Sequence, residues 1–470
     1  MIACLLILLC LMLSATPAFS ADKCSDEVFL RRAYLTTTGA LPTPAECRLF
    51  LEDNSINKRT KLIDKLLDSE LHLRYMQMRW GDILRIKSEF PSNLWPNGVQ
   101  AYNRWLYEHL LNNTPYDKMV QDLLISQGSN FRSPAVNFYR GFQKRTPENF
   151  YKDINLLFLG NRNCTDNGHL CFSQVRFKST KEWKEEIIYI DYYQDMPEER
   201  IVLSDGTVLK PRNDSDWREE YVTWLTSSKN RRFAEVLVNR LWFWVFGKGI
   251  VHEPDDWRAD NTPSDPALLN QLTDKFLRNG FNIKSLMREI LLSEKFNSPM
   301  APDGDYEPQR LPAEVIVDAI ASTTGIWNTY SSRVPEPFTF YPPKTRSTHL
   351  GDATVSSTEL ELFGKVSRDV SLESQRNNSI TSRQLLYLMN SAELEKRIRQ
   401  SPNLKQICKN NPNVQKLADA ITLRVLSRKA TPQEKALYKN YQEQNGLSLQ
   451  ELAFDIMWIQ INSNEFLYNH

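Results

Sequence analysis

Charge of one sign is what this sequence most lacks. Its 58 Lys and Arg against 57 Asp and Glu leave a formal net charge of +1 over 470 residues. No strong field therefore draws it to nucleic acid or to an anionic membrane surface. Beyond the first twenty residues no apolar run is long enough to span a bilayer. A Gly-rich phosphate loop, a nucleophile elbow, an H-E-x-x-H helix and a Ser-His-Asp order are all missing, so the familiar signatures of nucleotide, acyl-transfer and zinc-hydrolase chemistry are absent. There is no fixed-period repeat and no low-complexity tract, which argues against a solenoid or a disordered linker protein.

The remainder is ordinary globular composition, with 24% charged and 41% hydrophobic residues, and the length allows two or three domains with their own cores. Eleven Trp and 18 Tyr, many at helical spacing, read as parts of a large helical core. The first residues differ. The apolar run Ile2 to Leu13 and the small-residue stretch Ala18-Phe19-Ser20-Ala21 read as a signal peptide over residues 1–20. The expected product is secreted or periplasmic. Five cysteines would then remain, Cys24, Cys47, Cys164, Cys171 and Cys408, in an oxidising compartment. Cys164 and Cys171 are the nearest pair and are expected to form a disulfide, whose short loop would contribute about 2.5 kcal/mol.

The segment Arg232 to Phe296 organises the chain. Phe233 to Phe246 is apolar on almost every face, interrupted only by Glu235, Asn239 and Arg240, and so predicts a buried helix stopped at Gly247. Asp265-Pro266 opens the next helix, and Ile283, Leu286, Met287, Ile290 and Leu291 mark a third. Further helices are expected at Asp26–Gly39, from Pro44 through Leu51, at Lys58–Leu67, His72–Ile86, Tyr116–Ile125 and Leu311–Gly325, and four more in the last 90 residues. Strands are expected at Glu186–Tyr193 and in a hairpin around Ser204-Asp205-Gly206-Thr207. Residues 328–360, rich in Pro, Ser and Thr, read as a surface loop. The fold class is mainly α. Two helical domains (21–172 and 216–470) are joined by a small β insert or linker at 173–215.

Several stretches together resemble a known family. FLRRAYLTTTGALPTPAECRLFL, AYNRWLYEHLLNNTPYDKMVQDLLISQG and NFYRG are similar to the N-terminal member of the paired planctomycete cytochrome-c-associated domains of unknown function. FAEVLVNRLWFWVFGKGIVHEPDDWRADNTPSDPALLNQL, LPAEVIVDAIASTTG, FGKVSRDVSLESQRNNSITSRQLLYLMNS and LSRKATPQEKALY are similar to the C-terminal member. The resemblance implies a secreted protein without an assigned activity. It also implies a C-x-x-C-H haem motif after a Leu-Gly pair, and here Leu159-Gly160 is followed by a degenerate version. Cys164 and His169 match the motif's first Cys and its His. Asn167 stands in the place of the second Cys, and one extra residue precedes the histidine. No cofactor is expected, since covalent haem c needs both thioethers and an adjacent iron ligand.

Two constellations remain for chemistry. Cys164, His169 and Cys171, with Asp166 as a fourth donor, are the only concentrated set of metal-ligand types, although their spacing matches no common zinc pattern. Disulfide, metal site, residual haem and free thiols are the alternatives there. Arg240, Asp255 and Asp256 are the candidate catalytic group. In one reading the carboxylates act as acid and base, Arg240 holds an anion, and Trp242 and Trp257 stack on a sugar. In the other they are an internal ion pair that pins the loop to the helix. Arg368, Asp369, Glu373 and Arg376 form a second charged group able to join the first, and Arg79, Trp80 and Asp82 read as a packing face. The expected function is a non-catalytic interaction module of the cell envelope. The alternatives are a haem- or metal-dependent redox protein, or an enzyme acting on extracellular polysaccharide. Envelope proteins and extracellular glycans are the partners considered.

Overall fold

A computed structural model describes residues 23–89, 94–182, 184–195, 200–332, 340–376 and 378–470. The expected signal peptide lies outside the described residues, as do residues 333–339 of the expected loop. The fold is mainly α, with one three-stranded and two two-stranded sheets among the described residues.

Helix starts follow side-chain chemistry. Thr43 with Glu46, Thr381 with Gln384, Thr431 with Glu434 and Ser448 with Glu451 each close a reciprocal cap that satisfies otherwise orphaned backbone N–H groups. The central helix, Arg231–Phe246, buries eleven of its 16 residues, so it can only sit inside the fold. It ends at Gly247, whose φ of 68° is the left-handed geometry that glycine adopts without steric cost. Asn239, inside that helix, is satisfied by the following loop. Its amide donates to Val251 O and its oxygen accepts from Val251 N, both at 2.9 Å.

Two contiguous cores result. One gathers apolar side chains from Cys24 to Tyr306, including Ile188, Ile190, Ile201 and Leu209 of the strands, together with Leu423. The other gathers residues from Leu311 to Leu467. The helices Asp26–Thr38 and Glu70–Ile83 belong to both. Phe29, Leu30, Met76 and Trp80 face the first core, while Leu35, Tyr75 and Met78 face the second. The two termini of the described chain are also locked together. Arg31 donates to Val425 O, Glu465 O and Phe466 O at 3.0–3.1 Å. Burial pushes its pKa down to about 10, with the Glu465 charge acting against that. Arg32 donates to Ser298 O at 2.9 Å and to Phe296 O.

Val175–Ser179 and Glu186–Ile190 pair antiparallel, and Gly128–Ser129 from the N-terminal region adds to the other edge of Glu186–Ile190. The hairpin forms from Ile201–Val202 and Val208–Leu209. The described residues between 328 and 360 are largely irregular, yet they are not all surface. Ser347 and Thr348 are buried because Asp318, in the apolar helix Ala313–Thr324, needs donors. It accepts from Ser347 N (2.6 Å), Thr348 N (3.1 Å) and Thr348 Oγ1 (2.8 Å).

Candidate functional site

Where the two cores meet, four arginines and four carboxylates from distant parts of the chain form two neighbouring buried groups, Asp82, Glu314, Arg368 and Arg376 in one and Arg79, Arg240, Asp255 and Glu373 in the other. Arg79 and Asp82 come from the helix Glu70–Ile83, Arg240 from the central helix, and Asp255 from the loop beyond it. Glu314 opens the helix Ala313–Thr324, and Arg368, Glu373 and Arg376 come from an irregular segment near residue 370. Charges are this far from water only where partners are close.

The pairings are specific. Arg376 donates from Nη2 to Asp82 Oδ2 at 2.7 Å and from Nη1 to Glu314 Oε2 at 2.8 Å. Arg368 Nε donates to Asp82 Oδ1 at 2.9 Å, and its Nη1 to Ile86 O and Gly351 O. Arg240 Nη2 donates to Asp255 Oδ1 at 3.3 Å and to Leu157 O at 3.0 Å. Asp255 Oδ2 accepts from Glu373 N at 2.6 Å. Glu373 Oε1 accepts from Trp244 Nε1 at 2.7 Å and lies 3.5 Å from Arg240 Nε, an ion-pair distance rather than a hydrogen bond. Arg79 is 3.6 Å from Glu373 Oε2 and lies over the Trp244 ring.

Protonation follows from the balance of burial and charge. Burial acts to raise the pKa of Asp82, but Arg376 and Arg368 outweigh it and hold the carboxyl below its ordinary value. Glu314 is held low in the same way by Arg376. Glu373 moves in the opposite direction. Burial raises it and wins over Arg79 and Arg240, with the Asp255 charge adding to the rise.

This geometry relocates the residues read as catalytic. Arg240 and Asp255 do meet, whereas Asp256 does not join them. It faces the surface, where Arg258 Nε donates to both its oxygens at 2.9 and 3.1 Å. Asp255 and Asp256 are therefore not aimed at a common reacting atom. Nor do the tryptophans offer a sugar platform. Trp242 packs into the core against Phe246, ring centroids 4.3 Å apart. The Trp257 ring is covered by Arg232 on one side and abuts Gly160. Arg368, Glu373 and Arg376 join the two buried groups, while Asp369 pairs outside them with Lys87 at 2.7 Å. Trp80 is core and contacts Trp244 edge-on at 5.7 Å. Glu314 was missed by sequence reasoning. Its signal was a charge at the head of the run Val315 to Ala321, which is apolar except for Asp318.

A cavity of about 260 Å³ lies beside these groups, lined by Arg79, Arg310, Arg376, Tyr75, Phe243 and Trp244 among others. Its lining contains no carboxylate.

The cysteine loop differs from expectation. All five cysteines among the described residues are free thiols, so the expected Cys164–Cys171 disulfide is not formed. Cys171 sits in the short 3₁₀ helix Gly168–Phe172 and is wholly buried, whereas Cys164 stays half-buried with its Sγ toward Asn161 O. Burial pushes the thiol of Cys164 up to about 11 and that of Cys171 up to about 12. Asp166 is occupied by Tyr151, whose hydroxyl donates to Oδ1 at 2.5 Å. Among the described residues no three His, Cys, Asp or Glu side chains are grouped to hold a metal, and Cys164, His169 and Cys171 do not form such a set.

These residues do not fit covalent haem either. Asn167, in the place of the second cysteine, is committed to the strand Ile201–Val202. Its Nδ2 donates to Arg200 O at 2.9 Å and its Oδ1 accepts from Val202 N at 2.8 Å. The nearest second thiol, Cys171, lies beyond His169 and is fully enclosed.

Two family models match the chain. Residues 13–159 match PSCyt2, a protein of unknown function (DUF1549), and residues 217–442 match PSD1, a protein of unknown function (DUF1553). The cysteine loop and the strands Val175–Ser179, Glu186–Ile190, Ile201–Val202 and Val208–Leu209 fall between the two matches. No curated protein and no solved structure matches.

Proposed function

Since the chain belongs to the family of paired planctomycete cytochrome-c-associated domains of unknown function, we propose that it is a non-catalytic binding module of the cell envelope. The observation that carries this reading is the commitment of the candidate carboxylates. Asp82 and Asp255 each have both oxygens engaged by arginine or backbone donors, and Glu314 accepts from Arg376. A general base or nucleophile needs a lone pair aimed at substrate, and these have theirs aimed at the fold. The envelope location rests on the apolar run and small-residue stretch that open the sequence. No helix among the described residues is long and apolar enough to cross a membrane. No observation favours the redox or polysaccharide-hydrolase readings over this one.

The test is the secreted product itself. Its intact mass should equal a bare chain starting near Ala21, and purified protein should leave a panel of extracellular polysaccharides uncleaved. A haem-sized mass increment that survives denaturation would overturn the reading. So would turnover that disappears in Asp255→Asn or Asp256→Asn while the fold is retained.

A further inference from the structure

Arg310 is the one cation lining the 260 Å³ cavity that has no carboxylate within ion-pair reach among the described residues. It is 6% exposed; among the described residues its side chain makes one hydrogen bond, from Nη2 to Phe363 O at 3.1 Å, and its guanidinium lies over the Phe363 ring. Its Nη1 is buried without a partner. Across the short sheet in which Gln309–Arg310 pairs with Tyr468–Asn469, Asn469 lines the same cavity. Asn469 is also 6% exposed, and its Oδ1 is likewise unpartnered although its Nδ2 donates to Thr36 Oγ1. Unsatisfied polar atoms this deep are costly, and both belong to residues that line the same cavity.

The surroundings define that ligand's chemistry. No lining residue is acidic; Arg79 and Arg376 also line the cavity but are already paired with Glu373 and with Asp82 and Glu314 behind its wall, which leaves Arg310 as the cation open to an anion. A guanidinium matches the geometry of planar and tetrahedral oxyanions. Tyr75, Phe243 and Trp244 supply an apolar wall. The mouth is at Gly247 and Asn378, which are exposed while Arg79, Arg310 and Leu311 are buried. The volume is below that of typical drug-sized sites, so the enclosed part of the ligand is small.

We propose that this cavity binds a small organic anion, whose carboxylate, sulfate or phosphate group pairs with Arg310 and whose apolar part lies against Tyr75, Phe243 and Trp244. A hydroxyl or amine next to the anionic group donates to Asn469 Oδ1. The site rests on the reading of the chain as a binding module and names what is bound. Burial lowers the pKa of Arg310, with Arg376 acting in the same direction and Tyr468 and Glu314 against it.

Titration of the full mature chain with phenylacetate, mandelate, phenyl phosphate and neutral phenylacetamide tests this, read by calorimetry and tryptophan fluorescence. The anions should bind at least tenfold more tightly than the amide, with mandelate ahead of phenylacetate, and the best of the three anions identifies the headgroup. Arg310→Leu should abolish the difference. Asn378→Glu, at the exposed mouth where folding is not at stake, should weaken anion binding about tenfold. Equal binding of anions and amide, no binding at millimolar concentration, or binding indifferent to Asn378→Glu would overturn the site while leaving the binding-module reading intact. Conversion of a bound probe to product would sink the non-catalytic reading and leave the site standing.

Discussion

Arg376 donates to Asp82 at 2.7 Å across 294 positions of sequence, binding the helix that both cores share to an irregular segment of the C-terminal region. The same guanidinium reaches Glu314, so a single side chain holds two buried carboxylates. Asp82→Asn would leave Arg368 and Arg376 buried and short of charge. Breaking a buried pair from one side costs about 3–5 kcal/mol. Urea denaturation of the variant should show that loss, and a change below about 1 kcal/mol would mean the cluster is solvated.

The same cluster gives the stability a signed dependence on pH. Asp82 and Glu314, held below their ordinary values of 3.8 and 4.5, contribute stability above those values that is lost as pH falls through the folded ones. Glu373 acts in the opposite sense. Its folded pKa is raised above 4.5, so stability falls as pH rises from there through the folded value. Glu373→Gln should remove that second decline while leaving the acid limb unchanged, as measured by denaturation midpoints from pH 3 to 8.

His72 adds a third limb. Burial pushes its pKa down from 6.5 to about 4, with the Thr37 O contact acting against that, so the native state holds it neutral. Between those values the unfolded chain binds the extra proton, and stability falls as pH drops from 6.5 toward 4. His72→Gln should flatten the profile in that window.

Gly160, with φ of +64°, ends the helix Pro147–Leu159 under the Trp257 ring, and an added Cβ would fall 2.1 Å from Trp257 Cδ1. Gly160→Ala combines backbone strain with a clash and should cost about 2–4 kcal/mol. Trp257 should be displaced, and a shift in tryptophan emission of the folded variant would report it.

The thiols should be inert in the native state. Cys164 and Cys171 are pushed up to about 11 and about 12 by burial, so little thiolate exists near neutrality. Maleimide at pH 7 should label neither within the time that denatured protein reacts at both. The mass without reductant should be that of free thiols.

Much of this architecture is legible in local pattern. Leu62, Ile63, Leu66 and Leu67 make one stripe, and the helix Lys58–Leu67 forms at the bounds that stripe predicts. The helix Pro147–Leu159 was not read, although Thr146 and Pro147 are a cap and first-turn signal. The helices Ala392–Gln400 and Pro402–Asn410 were likewise missed, their apolar faces being narrow. At the site, Arg240 stood out as a charge in an apolar helix, and its partner Asp255 lay only 15 positions away. The pairs Arg376–Asp82 and Arg376–Glu314 span 294 and 62 positions, and no local period encodes contacts at that range. Cys164 and Cys171 misled for a related reason. Their short spacing made a bridge attractive, but the 3₁₀ turn at Gly168–Phe172 gives Cys171 to the core.

The central claim is that the charged cluster is a structural clamp between the two cores, and a double-mutant cycle on one of its two longest-range pairs tests it most directly. Asp82→Asn, Arg376→Gln and the double variant would be compared by equilibrium denaturation. The clamp predicts a coupling of about 2 kcal/mol or more between the two sites. Additivity within about 0.5 kcal/mol would contradict it.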